Sequence, residues 1–274
     1  MRQLRQRRVT ALASLTVLTG VILAIGTTAA PAAEPVVAAT ATASGDGIWI
    51  VDGHGGVVTK GDAAFHGSAT SLSLRAPIVG VAATPSSNGY WMVGGDGGVF
   101  SFGDATFRGS TGGVRLARPI VGMAATSGGT GYWLVAGDGG VFSFGATFYG
   151  STGGVRLAAP IVGLTPTAAG KGYWLVAEDG GVFTFGDAIF SGSTGSLRLV
   201  APIVGMASDP DGRGYWLVAR DGGVFSFDAP FFGSAAGRLT SGDHVVSIVA
   251  DKGGGYRLVT ASGAVFNFGA APAL

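Results

Sequence analysis

The chain has 274 residues, of which 51 are Gly, 47% are hydrophobic and only 12% are charged. That is too apolar for a disordered chain and too aromatic and too aperiodic in Gly for collagen. With no Cys there is no disulfide framework and no thiolate chemistry, so stability rests on packing.

The formal charge of +1 averages two unlike regions. Arg2, Arg5, Arg7 and Arg8 precede an uncharged stretch from Val9 to Ala33, and removing these four from 17 basic side chains leaves 13 against 16 acidic, near −3. A domain with that balance lacks the basic face that nucleic acid requires. The first 33 residues read as a secretory signal peptide: a basic start, an apolar centre from Ala11 to Ile25, and an A-x-A-like cleavage site at Ala30-Pro31-Ala32. Left uncleaved, the same segment would nearly span a bilayer, where about 20 apolar residues are needed. The expected location is secreted or cell-surface, with membrane contact only through that segment.

Beyond it a repeat begins. The five Trp residues stand at 49, 91, 133, 174 and 216, and Pro35, Pro77, Pro119, Pro160 and Pro202 each precede a Trp by 14 residues, with His244 in the sixth place. Two markers in one register define six units of about 42 residues, starting at 35, 77, 119, 160, 202 and 244, in one domain over 35–274.

Each unit divides into four short β segments. In the unit from Pro119 these are PIVGMAAT, GYWLVA, GVFSFG and ATFYGS, the second and third joined by a Gly-Asp-Gly hairpin turn. Gly interrupts every apolar run before it reaches helical length. Runs such as YWLVA are apolar at consecutive positions and predict strands buried on both faces. Four-stranded units of this length, sandwiched between neighbours, predict an all-β, six-unit β-propeller, with an open β repeat array as the alternative. The fourth position of the first segment is Ala38, Gly80, Gly122, Gly163, Gly205 and Ser247, small as crowding at a propeller axis demands.

The end units diverge. His54 takes the turn Asp's place in the first, where Val58 and Lys60 replace Phe; in the last, Arg257 replaces Trp and Ser262 the turn Asp. If the ring closes, these units meet at a seam that gathers His54, His66, Asp243 and His244, the candidates for a binding or acid–base site.

The string GYWLVA-x-DGGVFSFGDA-x-F-x-GSTGG-x-RL resembles secreted actinobacterial Gly-Tyr-Trp-Leu-Val repeat proteins, β-propeller-type repeats often fused to cell-wall hydrolases. The resemblance covers residues 35–274 and implies the repeat, not an activity.

The remaining chemistry reads as structural. Asp96, Asp138, Asp179 and Asp221 suit hairpin turns whose own N–H groups they accept. Arg115, Arg156, Arg198 and Arg238 suit pairing with a carboxylate, for which Asp104 and Asp187 are candidates, or capping of carbonyls between units. Tyr132 and Trp133, adjacent in a strand, place an aromatic on each face. Asp209-Pro210-Asp211-Gly212 lacks the twelfth-position acid of a Ca²⁺ loop and reads as a turn. Gly-rich strings precede strands, not helices, so they form no phosphate cradle. No catalytic residues, metal site or cofactor are indicated. The expected function is a non-enzymatic binding or scaffold module recognising envelope polysaccharide, peptidoglycan or a protein; the alternative is a propeller hydrolase or lyase acting at the seam.

Overall fold

The computed structural model describes residues 34–212 and 214–274. The signal-peptide reading of residues 1–33 therefore lies outside the described residues. Unit one folds into β1 (Val36–Ala41), β2 (Gly47–Asp52) and β3 (Val57–Gly61), and unit two into β4 (Ile78–Ala83), β5 (Gly89–Gly94) and β6 (Val99–Gly103). Unit three gives β7 (Ile120–Ala125), β8 (Tyr132–Ala136) and β9 (Val141–Phe144), and unit four β10 (Ile161–Pro166), β11 (Gly172–Ala177) and β12 (Val182–Gly186). Units five and six complete the series with β13 (Ile203–Ser208), β14 (Tyr215–Ala219), β15 (Val224–Phe227), β16 (Val245–Asp251), β17 (Gly255–Thr260) and β18 (Val265–Gly269). The fold is all-β: six separate three-stranded antiparallel sheets, with no helix among the described residues.

The middle strands are buried from end to end, as their consecutive apolar residues require. Each first strand carries a β-bulge one residue before the small fourth position, between Val36 and Ala38 in unit one and between Ile78 and Gly80 in unit two. The bulged Val and the small residue after it line an axial cavity of about 210 Å³, built by the first strands of all six units. Axial crowding does not explain the small residue, however. A Cβ on Gly80 would meet Val93 at 3.1 Å and the Met123 nitrogen at 3.3 Å, tight contacts with its own second strand and the next first strand. At Gly122, Gly163 and Gly205 the nearest atoms lie 3.5–3.7 Å away, which is ordinary contact.

Neighbouring units are stitched by a repeated backbone bond. Ile78 N–H donates to Gly53, Ile120 to Gly95, Ile161 to Gly137, Ile203 to Glu178 and Val245 to Arg220, each from the start of one unit to the hairpin turn of the unit before, at 2.8–3.0 Å. The sixth bond of the series runs from Val36 N–H to the Ala261 carbonyl at 2.9 Å, linking unit one to unit six. The first strands pack in the same sequence, β1 against β4 and onward to β16, which packs on β1. Hydrogen-bonded ladders stay within units, and the arrangement is propeller-like.

The expected fourth strand is absent, because the backbone bonds of that segment go elsewhere. After the turn at Gly61, Gly103, Gly145 or Gly186, each with φ between 63° and 68°, the chain leaves the sheet edge. The indole N–H of Trp49, Trp91, Trp133, Trp174 and Trp216 donates to the carbonyls of Ala64, Thr106, Thr147, Ile189 and Pro230 in the segment of the same unit. From the next unit, Tyr90, Tyr132, Tyr173, Tyr215 and Tyr256 donate their hydroxyls to Gly67, Gly109, Gly150, Gly192 and Gly233 carbonyls at 2.5–2.6 Å. Each hydroxyl also accepts the N–H one residue before that glycine. Burial pushes these five phenols above their ordinary pKa, keeping them protonated donors. The same Tyr ring stacks on the previous unit's Trp, with centroids 5.1–5.6 Å apart at five interfaces.

The sixth interface is built differently. Ile48 stands where the other units have Tyr, and it packs with Ile50, Val249 and Val259 in a small aliphatic cluster. Arg257, in the Trp place, is fully buried; its Nη1 bonds Asp251 at 3.0 Å and its Nη2 donates to the Pro272 carbonyl at 3.3 Å. That second bond copies the indole bond of the other units, 15 residues along the chain where theirs run 14 or 15. Asp251 supplies the negative charge that a buried guanidinium requires.

Two losses follow. Tyr132→Phe or Tyr173→Phe leaves a glycine carbonyl and an N–H without their partner, and each is expected to cost about 1–3 kcal/mol in urea unfolding. Arg257→Leu strands Asp251 without its cation and is expected to cost about 3–5 kcal/mol in the same measurement.

Candidate functional site

One face of the propeller-like array collects the hairpin turns, the starts of the first strands and the stretches that lead from each unit to the next. The turn Asp holds its own loop: Oδ1 of Asp96, Asp138, Asp179 and Asp221 accepts the N–H of Gly98, Gly140, Gly181 and Gly223 at 2.9–3.0 Å. The intervening Gly97, Gly139 and Gly180 have φ near 80°, and a Cβ there would strike Thr111, Thr152 or Thr194. These carboxylates are turn elements, and their repetition follows from the turn.

Between successive turns the face is hollowed. A cavity of about 630 Å³ lies between the turns of units three and four, walled by Pro119, Val121, Val155, Leu157 and Pro160 and edged by Arg118, Asp138 and Glu178. A hollow of about 370 Å³ shares Arg118 and Pro119 with it and adds Arg75, Asp96, Val114 and Leu116. Another of about 350 Å³ shares Ala159 and Glu178 and adds Asp179, Leu197, Leu199 and Val200. The three join into a furrow across units two to five, with an apolar floor. Arg75 and Asp96 stand at one end and Asp179 at the other, with Arg118, Asp138 and Glu178 along the central cavity. Val114, Val155, Leu197 and Val200 project beside it, Val200 being 97% exposed. Such a slot, apolar with few polar groups at its edges, is the ordinary form of a binding site.

The linker arginines are free of the partners expected for them. Arg115, Arg156, Arg198 and Arg238 are exposed on this face, and none is in an ion pair among the described residues. Asp104 and Asp187 lie at the opposite end of their units, where Asp104 accepts Thr84 and Ser86 and Asp187 accepts Thr167. The fourth segment runs the full height of the unit between those Asp residues and the linker, so the pairs cannot form. Arg238 instead stacks over Phe266 and Phe268, 5.2 and 5.5 Å from the ring centroids.

The seam candidates have separate neighbourhoods. His54 Nδ1 sits 3.3 Å from the Glu34 carboxylate on an exposed turn. His66 packs on Trp49 and Tyr90 between units one and two, and its Nε2 meets the Ser87 carbonyl at 3.2 Å, at the end of the molecule away from the hairpin turns. His244 Nε2 meets Arg220 at 3.3 Å. Asp243 accepts Ser262 Oγ, Ser262 N–H and the His244 N–H, while Thr260 Oγ1 accepts the Ala264 N–H that a turn Asp takes in the other units. Among the described residues no three His, Asp or Glu side chains gather as metal ligands would. Asp209 Oδ1 accepts Asp211 N–H in a plain turn.

The furrow was not visible to motif reasoning, because its walls are Val, Leu, Ala and Pro of the linkers. The recurrent V-R-L-x-x-P string was its trace.

No family model and no curated protein matches the chain. Among solved structures it is similar to a structural genomics protein of unknown function from Bacteroides thetaiotaomicron VPI-5482, with a TM-score of 0.53 and 15% identity, over 86% of this chain and 69% of that one. At that identity the likeness concerns the fold alone.

Partial burial raises the Asp243 carboxyl, but its bonds from Ser262 and the N–H of His244 outweigh this and hold it below the ordinary carboxylate range. A lowered folded-state pKa gives stability that is present above the unfolded value and lost as pH falls through the folded one. Asp243→Asn is therefore expected to shrink the fall in melting temperature between about pH 4 and pH 2 while leaving the neutral-side curve parallel to wild type.

Proposed function

We propose that the protein is an exported, non-enzymatic binding or scaffold module of the cell surface, a six-bladed β-propeller with three-stranded blades, which recognises an envelope glycan or protein through the furrow on its hairpin-turn face. The cycle of equivalent bonds ending in Val36–Ala261 supports the propeller reading. The basic, then apolar, then small-residue order of the first 33 residues supports export.

The observation that carries the binding role is the furrow itself. It is long, it is apolar at its floor, and charged residues of both signs, Arg75, Asp96, Arg118, Asp138, Glu178 and Asp179, stand along its edges, where they orient an occupant. The seam offers no comparable arrangement, since its histidines are each engaged by a different neighbour. A slot of this length suits an extended chain.

Retention of the purified protein on peptidoglycan, envelope polysaccharide and immobilised secreted proteins tests the reading. Ala158 lines the largest cavity from an exposed position, so Ala158→Trp fills the slot at little cost to the fold. The variant is expected to lose at least about tenfold in affinity, the roughly 1.4 kcal/mol that one blocked contact region is worth. Retention of wild type on none of these materials would sink the proposal.

A further inference from the structure

We infer that the outer edge of the ring is a second, multivalent binding surface, built on Phe65, Phe107, Phe148, Phe190 and Phe231 and fitted to the repeating sugars of a glycan polymer. The five occupy one place in five successive units, and each is between 55% and 60% exposed. None belongs to a buried cluster or to the partly buried residues packed against one.

Their presentation is enforced by the backbone. The residue before each Phe gives its carbonyl to the Trp indole of its own unit. The residue after gives its N–H to the Tyr hydroxyl of the next. Pinned on both sides, the Phe between them cannot turn inward. The pinned neighbours vary freely, as Ala64, Thr106, Thr147, Ile189 and Pro230 before and His66, Arg108, Tyr149, Ser191 and Phe232 after. A position that holds one residue type, while the residues before it, equally exposed, change from unit to unit, is not explained by packing. Scattered exposed apolar side chains are ordinary; five at one structural place are not scattered.

The form of the surface selects its occupant. A stable protein interface covers about 800 Å² on each partner, whereas each Phe is a single ring on its own unit and offers at most about 200 Å². One aromatic face matches one sugar ring, whose polarised C–H groups meet the electron-rich face of the arene. Each contact alone is weak. A polymer of repeated sugars engages several at once, and linked sites of this kind gain about 10²–10⁴ in avidity. In unit six the equivalent place, after the Pro272 carbonyl that accepts Arg257, holds Ala273, so the belt is interrupted there.

The test uses the full chain in depletion assays on insoluble cellulose, chitin and peptidoglycan sacculi. Phe107→Ser/Phe148→Ser/Phe190→Ser is expected to weaken retention on at least one of them by about 10²-fold, with each single change costing severalfold. Exposed substitutions of this kind leave the melting temperature nearly unchanged. Phe148→Trp guards against a folding artefact: it is expected to keep retention and to report a soluble oligosaccharide of the same sugar by a fluorescence shift. Ala158→Trp, which blocks the furrow, is expected to leave belt-dependent retention intact, so the two surfaces fail separately. The inference is overturned if wild type is retained by none of the three polymers, if the triple variant binds as wild type does, or if the belt instead drives self-association that the triple variant abolishes in light scattering.

Discussion

Five of the six units depend on one tyrosine hydroxyl that belongs to the next unit. That hydroxyl donates to a glycine carbonyl and accepts the adjacent N–H, satisfying two backbone groups that a sheet ladder would otherwise have to satisfy. Its ring meanwhile covers the previous unit's Trp. Backbone satisfaction and aromatic burial are therefore supplied by the same side chain at the same interface, so none of these five units holds its outer segment without the next. Geometry makes glycine obligatory at the accepting residue: a Cβ on Gly109 or Gly150 would stand 2.5 Å from the Phe ring of the following unit.

This arrangement explains what could and could not be read from the residues. Trp and Pro recur in one register, so the six units and their hairpins were legible, and consecutive apolar residues identified the middle strands. The fourth segment, ATFYGS in unit three, has the composition of a strand, and composition does not say where backbone groups find partners. They find them in a Trp indole and a Tyr hydroxyl, so the segment becomes a strap. The arginine pairing failed for a related reason. Arg115 and Asp104 are 11 residues apart in sequence, yet the strap between them spans the unit from one face to the other.

The divergent end units illustrate the limits of reading unusual residues as functional. Ile48 for Tyr and Arg257 for Trp are each odd alone. Together they form one interface, in which an aliphatic cluster replaces ring stacking and a guanidinium reproduces the indole's bond to the strap. His54 and Asp243 likewise answer to local turns. The oddity of the seam is a matter of packing.

Both candidate binding surfaces descend from the strap. Its far end delivers the chain to the hairpin-turn face, where Thr111 N–H bonds the Gly97 carbonyl and sets the linker that walls the furrow. Its middle, held by Trp on one side and Tyr on the other, must present one residue outward, and in five units that residue is Phe. A repeat whose interfaces recur displays like surfaces at like intervals, so the chemistry of one unit is multiplied across the five that share the Trp–Tyr arrangement. Recognition by such a molecule favours partners that are themselves periodic, because only a periodic partner meets several weak sites without distortion. The furrow carries Arg75 and Asp96 at one end and Asp179 at the other, and such unlike ends can give an extended partner a direction.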